Sequence, residues 1–272
     1  MNLTSEFLGF SVRITSVAET ETSLMKVSAA SLIREISHLR SPQKAANFRR
    51  FFKTGPGEYG EGDKFLGVSV PDCRSLAKSY RTLSLDEIEI LLQSPFHEVR
   101  FCGVIILVWQ FENAKKPEKE KMIFNFYLRE IRRGHINNWD LIDVSAPMLG
   151  RFLVSQPNSQ DKLLSFSHSR NLWLRRAAIV FTFAFLKKEN TQPTLLVATE
   201  LLQDCEDLIQ KSVGWLLREV GKIDSNILRN YLEKNGKKMA RMTVRYSIEK
   251  FSLTERKKWL EVTRNSLKSS TT

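Results

Sequence analysis

VRFCGVIIL, residues 99–107, can be read two ways: the Val-Ile run from Val104 to Val108 could form a strand, and the same residues fit a buried helix. The turn signals on either side stand too far apart for hairpins, so the helix is preferred. The stretch also recurs. RRAAIVFTF, residues 175–183, opens a similar apolar helix, and Arg176 stands 76 positions after Arg100. NWDLID, residues 138–143, lies midway; a further segment at residues 214–221 begins 38 positions after Arg176, and VRYSIEKF, around Arg245, roughly closes the series. Helical apolar spacing also marks LIREISHL, DEIEILLQ, KMIFNFYLREI, LWLRRAAIVFTFAFL and LIQKSVGWLLREVGK.

A period of about 40 residues with two helices per unit is the signature of HEAT-like repeats, in which each pair hides its apolar face only by stacking on its neighbours. The expected fold is all-α: a curved HEAT-like helical repeat solenoid whose concave face suits a cylinder such as duplex DNA. An irregular helical bundle is the alternative. One HEAT-like domain is expected over residues 26–265, with a loosely ordered extension at 1–25, rich in Ser, Thr and Glu, and a polar tail at 266–272.

The 272 residues carry a formal charge of +12, which favours a polyanionic partner, nucleic acid before acidic membrane. The first 25 residues hold one Arg and three Glu, a net of −2, so the remainder carries +14. Cys73, Cys102 and Cys205 are odd in number and form no C-x-x-C pair, which argues against a disulfide framework and a zinc site. No apolar run reaches the roughly 18 residues of a membrane span, and no export signal opens the chain. A cytoplasmic monomer is expected, with no membrane association.

HINNWDLIDVSAPMLG, residues 135–150, places an acidic, aromatic face in this basic chain. Asn137 or Asn138 can cap a helix, and Trp139 and Asp143 then share a face one turn apart, an arrangement suited to a cationic ligand. Asp140, as N3 behind the cap, most simply serves the helix N-terminus. Trp139, Trp173 and Trp215 each fall on a repeat helix, where large aromatics are either core or ligand platforms. Trp215 has Arg218 one turn on. Of Arg175 and Arg176 only one can face the concave side. His38, His97, His135 and His168 stand apart, in no metal or hydrolase pattern, and read as surface or helix-end residues.

KTGPGEYGEGDKFLG, residues 53–67, contains G-x-G-x-x-G, but no strand or βαβ unit surrounds it, so a dinucleotide site is discarded. The loop either presents backbone N–H groups to a phosphate or is an ordered surface turn. KKPEKEK, residues 115–121, reads as a surface turn; RMTVR and ERKK add basic groups near the C-terminus.

NNWDLIDVSAP, NLWLRRAAIVFTF and IQKSVGWLLREVGK together resemble the AlkD-type DNA alkylation repair proteins, HEAT-like repeat alkylpurine DNA glycosylases, over roughly residues 29–251. The resemblance implies hydrolysis of the N-glycosidic bond of cationic N3- and N7-alkylated purines in double-stranded DNA, without metal or organic cofactor. It also implies that the lesion stays in the helix while the protein grips sugar and backbone. By motif, the resemblance makes Asp143 the catalytic carboxylate. Trp139 and Trp215 become the cleft tryptophans, Arg218 a cleft arginine, and Arg176, rather than Arg175, the arginine of W-L-x-R-A-A-I. Phe51 falls where the family has a cleft tyrosine, so a hydroxyl is missing, and the glycine-rich loop is longer than usual. Those departures keep open a non-catalytic DNA-structure binder on the same scaffold; a HEAT-type protein-interaction scaffold is the third reading.

Overall fold

The structure, a computed structural model, describes residues 27–269. Helices account for its regular structure: α1 (Ala29–His38), α2 (Pro42–Phe51), α3 (Val70–Ser79), α4 (Leu85–Leu92), α5 (His97–Glu112), α6 (Pro117–Arg132), α7 (Trp139–Leu149), α8 (Arg151–Val154), α9 (Ser159–Ser167), α10 (Leu172–Phe181), α11 (Phe183–Leu186), α12 (Gln192–Glu200), α13 (Asp207–Ile223), α14 (Ser225–Asn235), α15 (Arg241–Ser247) and α16 (Leu253–Ser269). Among the described residues there is no strand, only an isolated bridge between Lys64 and Phe96.

The helices stack in two rows. In the first, α3, α5, α7, α10, α13 and α15 each pack on the next; α4, α6, α9, α12 and α14 cover its other side. Arg100, Asn138, Arg176, Gly214 and Arg245, the positions that mark the repeat in the sequence, fall on or at the cap of five consecutive helices of that first row. The period therefore records the inner row of a HEAT-like solenoid. Residues such as Ile106, Ile142, Ala177 and Leu216 have no exposed surface, because each helix hides its apolar stripe only against the repeats before and after it.

Close approach is fixed at α13. A Cβ on Gly214 would lie 2.5 Å from Cβ of Tyr246 and 2.6 Å from the Thr243 carbonyl, so α13 and α15 meet backbone to backbone and Trp215 is held at that contact.

Several expectations change. Residues 172–186, read as one helix, divide at Thr182, whose hydroxyl donates to the Ile179 carbonyl. VRYSIEKF is helical only to Ser247. KKPEKEK is no turn: residues 117–121 begin α6, where Pro117 suits the first helical position. Residues 266–269, expected in a polar tail, belong to α16; residues 1–26 and 270–272 lie outside the described residues. Among the described residues no helix is long and apolar enough to cross a membrane.

Candidate functional site

Asn138 caps α7, accepting a hydrogen bond from the Trp139 N–H at 2.8 Å, and so Asp140 is the second helical residue rather than the third. One turn on, the Asp143 carboxylate points towards α10. There Arg176 meets it side-on, donating from Nε to Oδ1 at 2.9 Å and from Nη2 to Oδ2 at 2.7 Å. The third nitrogen, Nη1, donates to the Leu208 carbonyl at the start of α13, tying three helices of the inner row together. Burial pushes the Asp143 carboxyl above the usual carboxylate range, and the Arg176 charge only partly opposes it. Arg175 binds Asp204 at 2.7 Å, so of the two adjacent arginines it is Arg176 that meets Asp143.

Asp143 borders three cavities. One of about 500 Å³ is lined by Trp139, Trp215, Arg176, Arg218, Tyr59 and Lys211, among others, and Asp143 is its only carboxylate among the described residues. A second, of about 690 Å³, lies towards α2 and is walled by aromatic rings including Phe48, Phe52, Phe65 and Phe101. A third, of about 710 Å³, runs towards α8 and α11 and carries Arg74, Arg151, Lys187 and Lys188. The carboxylate thus stands among cationic groups and aromatic faces, as a site for a polyanion with a local positive charge requires.

The Trp139 ring is fixed from several directions. Phe52 stacks on it with centroids 5.6 Å apart, and Phe51, 63% exposed, meets it edge-on at 5.9 Å. Trp139 joins the main core to a small cluster of Ala45, Phe52 and Phe65. Trp215 remains half-buried beside Phe183 at 6.0 Å. Trp173, by contrast, is 9% exposed and is largely core. Arg218 lines the cavity but is engaged by Glu249 and by Glu219 at 3.5 Å, so its guanidinium does not reach Asp143 in this arrangement.

Two residues of the site carry no signal in the sequence. Tyr59, on the glycine-rich loop, accepts a hydrogen bond from Trp139 Nε1 at 3.3 Å. His97 is buried at the start of α5, with Nε2 2.8 Å from Asp140 and Nδ1 3.4 Å from Asp63. Burial alone would lower its pKa, yet the two carboxylates prevail and raise it to about 9. Asp63 also binds Arg100 at 2.7 Å and Asn138 at 3.1 Å. This cluster clamps the end of the loop to the N-termini of α5 and α7. Asp140 is therefore more than a helix-end charge: it is the carboxylate that holds His97. His135 pairs with Glu130 at 2.6 Å and lines none of these three cavities.

Helix pairs stacked one on the next in two rows make this a HEAT-like repeat protein. A family model described as DNA alkylation repair enzyme matches residues 32–251, and the chain belongs to that family. Among solved structures, a predicted DNA alkylation repair enzyme from Enterococcus faecalis is 17% identical, with a TM-score of 0.62 over 79% of this chain and 97% of that one. A protein described as related to the HEAT-like repeat DNA glycosylases, with affinity for branched DNA structures, is 11% identical, with a TM-score of 0.50 over 78% of this chain and 83% of that one. At these identities the likeness is one of fold. No curated protein sequence matches the chain.

Proposed function

We propose that the protein is a DNA repair glycosylase that hydrolyses the N-glycosidic bond of cationic N3- and N7-alkylated purines in duplex DNA. The observation that carries this reading is the Asp143 carboxylate, held side-on by Arg176 in a cavity that also exposes Trp139 and Trp215. As the bond to an alkylated purine breaks, the sugar gains oxocarbenium character. Asp143 stabilises that charge and orients the attacking water, while Trp139 and Trp215 hold the sugar through their ring faces. Lys53 and Lys211, which line the same cavity, supply phosphate contacts. Base release from DNA containing N7-methylguanine or N3-methyladenine, with Asp143→Asn as control, tests this directly. No release by the wild type, or full release by the variant, rejects it.

A second reading, a non-catalytic binder of DNA structure, draws on the affinity for branched DNA described for one structural relative and on the exposed Phe51 at the cleft. It predicts tight binding to four-way junctions with no base release.

A further inference from the structure

The glycine-rich loop does not offer its backbone to a phosphate in the way the sequence allows. The Gly55 N–H donates to Glu58 Oε2 and the Gly57 N–H to Glu61 Oε2, both at 2.8 Å, so the loop's own carboxylates occupy these two donors. The loop closes tightly: the Gly60 N–H donates to the Lys53 carbonyl at 3.1 Å, and a Cβ on Gly60 would come 2.4 Å from the Phe52 carbonyl oxygen. Its far end is anchored where Asp63 meets His97, Arg100 and Asn138. What this fold carries into the cleft is a side chain. Tyr59 lines the same cavity as Asp143, Arg176 and Trp215, with its hydroxyl accepting from Trp139 Nε1 at 3.3 Å and donating to the Phe51 carbonyl at 3.5 Å. Its ring meets Trp173 edge-on at 6.5 Å.

We propose that Tyr59 is a positioning residue, and that loop 53–62 exists in its folded form to deliver it. Phe52 and Phe51 hold the Trp139 ring by packing, which sets the plane of the indole but, being non-directional, leaves freedom of rotation within it. A hydrogen bond to Nε1 removes that freedom, because the indole has a single N–H and its direction is fixed by the ring. Tyr59 thereby sets which part of the indole faces the sugar beside Asp143, and it acts on the reaction only through Trp139. This inference rests on the reading of Asp143 and Trp139 as the reacting site, and its test is separable from that reading.

The test compares wild type with Tyr59→Phe, which removes only the hydroxyl, and with Gly60→Ala, which disturbs the loop without changing any group in the cleft. In a ¹H–¹⁵N spectrum the Trp139 indole resonance, assigned by its loss in Trp139→Phe, is expected to shift in both variants. In base-release assays kcat is expected to fall roughly 5-fold in Tyr59→Phe, the equivalent of about 1 kcal/mol for one hydrogen bond, with KM for DNA unchanged. Adding Tyr59→Phe to Trp139→Phe is expected to cost nothing further. An unmoved indole resonance in Tyr59→Phe overturns the proposal, as does a loss confined to KM, which would make Tyr59 a DNA contact. If the wild type releases no base, the glycosylase reading fails while the indole resonance still decides for or against Tyr59.

Discussion

Arg176 binds Asp143 with two parallel N–H donors while its third nitrogen is held by the Leu208 carbonyl. Arg176 is 4% exposed, so the fork cannot swing to another partner, and the carboxylate it grips is fixed in position. Lysine cannot reproduce a fork of this kind. Arg176→Lys is therefore expected to fold and to lose base release, whereas Arg176→Ala, which leaves a mostly buried carboxylate unpaired, is expected to cost about 3–5 kcal/mol of stability. Asp143→Asn keeps one acceptor and is expected to reduce kcat by about 10²–10³ with a milder loss of stability. Denaturant unfolding beside base-release rates separates the three.

The raised pKa of Asp143 has opposite consequences for activity and for stability. Burial disfavours its charged form, so the folded protein binds this proton more tightly than the unfolded chain. The group therefore favours folding below the unfolded pKa and loses that contribution as pH rises through the folded one. Catalysis needs the carboxylate, and base release is expected to fall, as pH is lowered, at a higher pH than an exposed aspartate would set. Removing the opposing charge in Arg176→Gln should raise the Asp143 pKa further. A pH–rate profile of the wild type under single-turnover conditions reads the first, and a ¹³C carboxyl titration of the variant reads the second.

The inner row is legible in the sequence because packing imposes a spacing on it. Arg100, Arg176 and Gly214 share that spacing since each lies on the helix that stacks against the next repeat. Helices α2, α3, α9, α12 and α14 escape a search for periodicity because their apolar residues are few or interrupted, as in PQKAANFRRF of α2. Two of them are still marked by their starts: Ser41 before Pro42 caps α2, and Ser69, with Pro71 just inside, caps α3. Asp143 and Arg176 can be found because each belongs to a contiguous motif. His97 and Tyr59 cannot, because their meaning lies in partners far along the chain, Asp140 being 43 positions from His97 and Trp139 being 80 from Tyr59. No local periodicity records such pairs.

His97 gives a prediction at alkaline pH. Its folded pKa of about 9 lies above the unfolded value of 6.5, so its contribution to stability is complete below pH 6.5 and is lost as pH rises from there to 9. The difference corresponds to roughly 3 kcal/mol. Wild type should therefore lose stability between pH 6.5 and 9.5 by an amount that His97→Gln, already destabilised at pH 6.5, does not lose. Parallel urea titrations of the two proteins at both pH values measure that difference, and equal pH dependence would show that the Asp63–His97–Asp140 cluster does not hold a proton.

Glu249 restrains Arg218, the arginine of the cleft that Asp143 does not engage. It lies at the exposed end of the pair, its carboxyl held below the usual range by hydrogen bonds from Lys250 and Arg218, and it competes with any phosphate for the guanidinium. Arg218 Nε is buried without a hydrogen-bond partner, so the side chain has donor capacity that Glu249 and Glu219 leave unused. Glu249→Gln should release the guanidinium for DNA and leave the folded state nearly unchanged, because exposed ion pairs contribute little. DNA affinity is expected to rise, and the slope of log K against log salt to steepen by about 0.9 as Arg218 engages one more phosphate. In the Arg218→Gln background the same substitution should leave that slope unaltered, since the phosphate is held by Arg218; a slope that still steepens would assign the effect to the surface charge alone.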